Sequence, residues 1–344
     1  MKKLLAVVLV LAMVLSASAV AFAGSSITPS YDDSPSTPAA GTSTVTNSNG
    51  DTVTTTTDGT GSKEVVTEAK DGTETVTTTL STTAANKATD DTPYTTTAVT
   101  ATEDEAKAPT VKVTVPASAS GGDAVVQFAA KNNSNKVALK IKNADGTYTT
   151  VKKAAAGEKG PVAVVKGTKE YILVENDKDF TDVPAGWQAN AAAFVSSREL
   201  MIGETADEFR PNEPIDVATM LTVLGRLDDK VALEDSMGKT WETAGNAWGE
   251  KNGYSTTGNM DRTEMAVNFY KYAGSPSVTE ADKAVVKGYA DAEGLTDAQI
   301  TAFAWLIKNG IVQGVGNNKL GCKEVAERIQ LGAMLERYVD ALVK

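Results

Sequence analysis

Histidine is absent from this sequence, and Cys322 is its only cysteine. Without histidine the chain lacks the commonest general base near neutral pH and a leading zinc ligand. The Ser-His-Asp and Cys-His arrangements for nucleophilic catalysis are excluded with it. Only carboxylate chemistry, such as glycoside hydrolysis, stays formally open. A lone cysteine forbids an internal disulfide, so stability rests on packing, which a chain of 344 residues can supply. No loop has the Asp/Asn/Gly spacing of a calcium site, and Asp145-Gly146 reads as a turn. No metal and no cofactor is expected, and no enzymatic activity. Excess positive charge is lacking too: the net charge is -11, and it becomes -13 once Lys2 and Lys3 are removed (-11 - 2). Such a chain is a poor ligand for nucleic acid or an anionic membrane by bulk attraction.

Long apolar runs are missing except at the start. Lys2 and Lys3 precede the charge-free run Leu4 to Leu15, and Ala21-Phe22-Ala23 supplies a small-x-small cleavage pattern. Residues 1–23 therefore read as a signal peptide, too short for a spanning helix of about 20 apolar residues. A retained N-terminal anchor is the alternative. The mature chain is expected outside the cell, with no membrane contact.

Residues 24–108 are dominated by threonine, serine, alanine and acids. Between residues 41 and 100, 23 of 60 positions are Thr and the only aromatic is Tyr94. So little apolar side chain argues against a conventional core. Asn49-Gly50, Asp58-Gly59 and Asp71-Gly72 are nevertheless hairpin-type turn pairs beside strand-prone runs such as Thr52-Val53-Thr54. An extended spacer is favoured over an array of marginal hairpins. Residues 109–178 read as a small all-β domain. Val111 to Val115, Val137 to Ile141 and Tyr148 to Val151 alternate with period two, Asn143-Ala144-Asp145-Gly146 connects the latter pair, and Val162 to Val165 and Tyr171 to Val174 complete about five strands.

From Phe180 onward the pattern is helical and repeats. Ala193-Phe194, Ala247-Trp248 and Ala304-Trp305 each fall late in a predicted helix, followed five residues after the aromatic by Glu199, Gly253 or Gly310. Each unit then starts a second helix, over Ile215 to Leu227, Met260 to Ala273 and Ala326 to Leu342. Such self-similarity signals units that bury one another's faces. Three units are assigned, at 179–229, 230–275 and 276–344.

The residues within these units resemble the S-layer homology family. The first opens Phe180-Thr181-Asp182-Val183-Pro184, with Trp187 nearby, and continues through Glu208-Phe209-Arg210-Pro211 to Leu224-Gly225-Arg226-Leu227. The second has Gly258-Asn259-Met260-Asp261-Arg262-Thr263-Glu264, and the third Asn309-Gly310-Ile311-Val312-Gln313-Gly314-Val315-Gly316, then Glu327-Arg328-Ile329-Gln330. The resemblance implies a three-pronged, pseudo-threefold helical module on a bacterial cell surface. It implies binding of secondary cell-wall polysaccharide, often pyruvylated, in grooves between repeats, with an arginine at the start of each second helix lining the groove.

Physical chemistry supports that arrangement independently. An acceptor at a helix start with Glu three residues later is a capping box. The arginine between them projects beside a helix N-terminus, whose partial positive charge favours a carboxylate. Asp261-Arg262-Thr263-Glu264 keeps this pattern; Glu327-Arg328-Ile329-Gln330 has a poorer cap; Asp216-Val217-Ala218-Thr219 has valine in place of arginine. Phe194 to Val217 and Trp305 to Arg328 each span 23 positions, but Trp248 to Arg262 only 14, so the second unit has lost most of its connecting loop. At most two competent grooves are expected, the first degenerate. The candidate glycan-binding residues are Arg262, Arg328, Asp261, Glu264, Gly314 and Trp187. Trp187 and Trp241, near helix starts, could stack on a sugar ring, whereas Phe194, Trp248 and Trp305 read as core. Asp182 reads as the cap of the first helix, and Gly203 and Gly314 as turns of positive φ. Self-association of the repeats into a surface array is the alternative function, and a wall-degrading enzyme the remaining one.

Overall fold

The computed structural model describes residues 39–132, 136–176, 178–233, 241–258 and 260–343. The expected signal peptide and the Thr-rich segment up to residue 38 lie outside the described residues. Those described fall within a unit spanning Thr37–Lys344.

The N-terminal region is β-rich and larger than the sequence suggested. Strands β1 (Gly41–Thr46), β2 (Thr52–Thr57), β3 (Lys63–Glu68) and β4 (Glu74–Thr79) form successive antiparallel hairpins. These correct the expectation of an extended spacer. The strands begin at a constant spacing, and each loop carries its left-handed residue at the same place: Gly50, Gly61 and Gly72 have φ of 82, 85 and 85°. The second turn therefore uses Gly61 rather than Gly59, with the Asp58 carboxylate accepting from the backbone N–H groups of Thr60 and Ser62 at 2.8 and 2.9 Å. Threonine suits the arrangement because its β-branched side chain fits a pleated surface. Its hydroxyl also pairs across strands, as in Thr42 with Thr56 at 3.2 Å and Thr44 with Thr54 at 3.0 Å.

Burial grows along the array. β1 is exposed throughout, whereas Val76 and Thr78 of β4 are fully buried. There β4 runs parallel to β6 (Thr110–Thr114), which pairs with β12 (Thr168–Glu175), then β8 (Val137–Lys142) and β9 (Tyr148–Thr150). The boundary expected at residue 109 thus runs through one eight-stranded sheet. A second sheet, in the order β10 (Ala155–Gly157), β11 (Gly160–Lys166), β7 (Asp123–Gln127), β5 (Tyr94–Thr95), faces it across a core containing Val111, Val126, Phe128, Leu139 and Leu173. Strands β5, β7 and β10 were not anticipated. A short helix, α1 (Thr82–Lys87), follows β4.

The helical region comprises α2 (Trp187–Ser197), α3 (Val217–Leu227), α4 (Trp241–Lys251), α5 (Arg262–Tyr272), α6 (Glu280–Lys287), α7 (Asp297–Lys308) and α8 (Arg328–Leu342). Helix starts follow local chemistry. Asp216 caps α3 by accepting from Thr219 N–H at 2.7 Å, and Asp261 caps α5 by accepting from Glu264 N–H at 2.8 Å. Thr279 with Asp282 and Thr296 with Gln299 form capping boxes at α6 and α7. Asp261 and Glu264, expected to complete such a box, form only its first half.

The pairing of helices passes from unit to unit. α3 packs against α4, α5 against α7, and α8 returns to α2. Each pair therefore joins the last helix of one unit to the helix of another that carries Phe194, Trp248 or Trp305, and the last closes on the first; α6, which precedes α7 and packs against it, was not anticipated. The segments entering the second helices meet inside this ring. Ile215 N–H donates to the Ala326 carbonyl at 2.9 Å and Ala326 N–H to that of Met260 at 3.0 Å, all three residues being buried.

The β and helical regions share an interface. Ala155 and Val162 lie in the helical core. Arg198, 1% exposed, donates from Nε to the Ala154 carbonyl at 2.7 Å and lies 4.0 Å from the Phe194 ring centroid. Lys140 pairs with Glu105 at 2.7 Å and Glu199 at 2.9 Å, and Lys152 with Asp229 at 2.8 Å.

Candidate functional site

Arg262 and Arg328 occupy the first positions of α5 and α8 and do the same thing in different units. Arg262 donates from Nε to the Leu320 carbonyl at 2.9 Å and from Nη2 to that of Gln313 at 3.2 Å. Arg328 donates from Nε to the Phe209 carbonyl at 3.0 Å and from Nη2 to that of Ile202 at 2.8 Å. Phe209 and Leu320 stand at the same place in their units, as do Ile202 and Gln313. Each arginine therefore reaches across the ring and secures the connecting loop of the following unit. Their backbones repeat the relation: Arg262 N–H donates to the Glu324 carbonyl and Arg328 N–H to that of Glu213, both at 3.0 Å. Burial lowers the pKa of both guanidinium groups from the ordinary value, but arginine remains cationic.

Beside each arginine lies a groove. The first, of about 320 Å³, is lined by Arg262, Gln313, Gly314, Gln330, Arg337 and Trp187. The second, of about 230 Å³, is lined by Arg328, Ile202, Gly203, Thr219, Arg226 and Trp241. These residues correspond one for one, moved on by one unit: each groove takes an arginine from one unit, a loop and second helix from the next, and a tryptophan from the one after. Trp187 and Trp241 are 51% and 41% exposed. Both grooves hold a second arginine on a carbonyl, Arg337 Nη1 on Ile311 at 3.3 Å and Arg226 Nη1 on Leu200 at 3.2 Å.

The loop glycines act by close approach, which corrects the expectation of positive φ: neither Gly203 nor Gly314 is left-handed. A Cβ on Gly203 would lie 2.5 Å from the Thr205 carbonyl oxygen, 2.6 Å from the Phe180 ring and 2.7 Å from the Glu208 carbonyl oxygen. On Gly314 it would meet the Lys319 carbonyl oxygen at 2.8 Å and the Tyr289 ring at 3.3 Å. Asp182 does not cap α2, whose N-cap is Gly186. Its carboxylate instead accepts from the N–H groups of Phe209 and Arg210 at 2.8 and 2.6 Å, bracing the loop that Arg328 grips. Asp291 performs the same task in the third unit, accepting from Leu320, Gly321 and Cys322 N–H at 2.8, 2.7 and 3.1 Å. The third unit thus opens at Tyr289-Ala290-Asp291, a match to Phe180-Thr181-Asp182 that lay unread in the sequence. Cys322 is buried, its thiol pushed up to about 11 mainly by burial, which leaves it unreactive at neutral pH.

Of the residues singled out from the sequence, the structure brings Arg262, Gly314 and Trp187 into one groove and places Arg328 in the other. Asp261 and Glu264 line neither. At the start of α5, Glu264 stands where Gln330 and Thr219 line their grooves and so would face a third one, whereas the equivalents of Asp261, Glu327 and Asp216, line neither. The ring leaves a place for that groove beside α5, and its arginine, loop and tryptophan have all changed. Its arginine position is Val217, 7% exposed; its loop is the shortened one after α4; its tryptophan position, at the start of α7, is Ala298. The missing arginine of the first unit and the missing loop of the second are one loss, because that arginine would have gripped that loop.

The C-terminal helical region thus carries two composite, cationic, aromatic-edged grooves and is joined to a β-rich region. Residues 179–218, covering the first unit from Asp179 through the start of α3, match the family model of the S-layer homology domain. No curated protein matches the chain. Among the described residues, no helix is long and apolar enough to cross a membrane, and no group of His, Cys, Asp or Glu side chains could hold a metal.

Proposed function

We propose that the chain is a non-catalytic surface protein held on the bacterial cell wall by polysaccharide bound in the Arg262 and Arg328 grooves. The observation carrying this reading is the pairing, in each groove, of a fixed guanidinium with an exposed tryptophan. Planar charged donors suit carboxylates and hydroxyls, and an indole ring suits the apolar face of a sugar. Together they let an acidic protein hold an acidic glycan, such as one bearing pyruvyl ketals, by local chemistry rather than net charge. The domain match at residues 179–218 points to the same surface context. The β-rich region would then be the displayed part, fixed against the anchor by Arg198 and Lys140.

Co-sedimentation tests the reading. The full chain should pellet with purified walls that carry their polysaccharide and remain in solution with walls stripped of it. Equal pelleting with both, or with neither, would remove the glycan as the anchor.

A further inference from the structure

The two grooves align position for position, and among their matched linings only one position differs in charge. At the lip of the Arg328 groove stands Glu204; the equivalent residue in the Arg262 groove is Val315. Glu204 Oε1 lies 3.3 Å from Arg328 Nη1, so with Nε and Nη2 committed to carbonyls, every nitrogen of that guanidinium already has an oxygen. Arg262 has the same two carbonyl bonds, while no carboxylate among the described residues forms an ion pair with it. The residues lining its groove include Arg262 and Arg337 and no acid; Glu324 and Asp291 act on Arg262 from further off, as Glu213 and Asp182 do on Arg328, so the difference between the grooves is Glu204.

We infer that the grooves take sugars of different charge, with Glu204 setting the difference: the Arg262 groove accepts a carboxylate-bearing residue and the Arg328 groove an uncharged one. This rests on the glycan-binding reading above and refines it. A ligand carboxylate entering the Arg328 groove would have to displace Glu204 from Arg328 or lie against it, and like charges in a half-enclosed site repel strongly. A sugar hydroxyl or amide N–H has no such conflict, because it can donate to Glu204 while the ring lies on Trp241. Among the described residues no oxygen pairs with Nη1 of Arg262, a residue 8% exposed at the groove wall, and Gln313 and Gln330 add neutral polar groups beside it. An alternating polysaccharide with charged and neutral residues could then engage both grooves in register.

The test uses the full chain and two probes: short wall-polysaccharide fragments with their carboxyls intact, and the same fragments with carboxyls converted to methylamides. Trp187→Ala silences the Arg262 groove and Trp241→Ala the Arg328 groove; both side chains are largely exposed, so folding should survive. The W241A chain should prefer intact over amidated fragments by about tenfold or more, and the W187A chain by less than about twofold. Adding Glu204→Gln to W187A should raise its preference toward that of the other groove, and adding Val315→Glu to W241A should abolish it. Equal preference for intact fragments in W187A and W241A, or no binding by W187A, would overturn the specialisation while leaving wall binding intact. Failure of the unsubstituted chain to bind either probe would instead remove the glycan reading itself.

Discussion

Single residues in this molecule do paired work, which makes their substitution informative. Gly203 and Gly314 have the same role, but a Cβ on Gly203 meets three atoms closer than 3.0 Å and one on Gly314 only one. Gly203→Ala should therefore destabilise the chain by about 1–3 kcal/mol and Gly314→Ala by less, as read by denaturant unfolding. Val217→Arg restores the missing side chain but not the loop it would grip. Because Val217 is buried, that variant should lose stability and gain no additional glycan site, as checked by binding stoichiometry. Glu336 provides a pH signature. Burial, then Asp340, raises its carboxyl from an ordinary 4.5 to about 7. The folded state therefore holds this proton more tightly than the unfolded chain, so its contribution is fully present below pH 4.5 and is lost as pH rises through about 7. After allowance for partial exposure, Glu336→Gln should stabilise the chain by about 1 kcal/mol at pH 8 and change little at pH 4.5, measured by thermal unfolding at both values.

Among the elements, the Thr-rich strands show how a sequence can hide order. Their composition argues against a core, and rightly so for β1, which buries nothing. What stabilises them is a constant repeat: strand, five-residue turn with a left-handed glycine, strand. That period was readable in Gly50, Gly61 and Gly72, but the Asp58-Gly59 pair drew attention to the wrong turn. Order enters from β4, where Val76 and Thr78 meet the core and β6. Val76→Asp should destabilise this region by about 3 kcal/mol or more. Limited proteolysis gives the readout: residues 41–79 should resist cleavage in the unsubstituted chain and be cut rapidly in the variant. Resistance in both would show that the hairpins hold without the sheet.

At the scale of the whole molecule, the helices around Phe194, Trp248 and Trp305 and those that follow them were legible because apolar periodicity, caps and the glycines at Gly253 and Gly310 are local signals, whereas α1 and α6 were not read. Arg262, Arg328, Trp187 and Gly314 were legible because their units repeat. What could not be read was which unit faces which. The grooves join residues distant in sequence, and only the closure of α8 on α2 shows that Val217, the short loop after α4 and Ala298 belong to one lost site. Arg198 was equally hidden, since nothing local marks a buried arginine bound to the Ala154 carbonyl just before β10.

Under the proposed function, two grooves of the helical region bind glycan and the place of a third does not. Calorimetric titration of the full chain with short wall-polysaccharide fragments addresses this most directly. Two fragments per chain are predicted, falling to one with either Trp187→Ala or Trp241→Ala and to none with both. No binding, or three fragments per chain, would contradict the account.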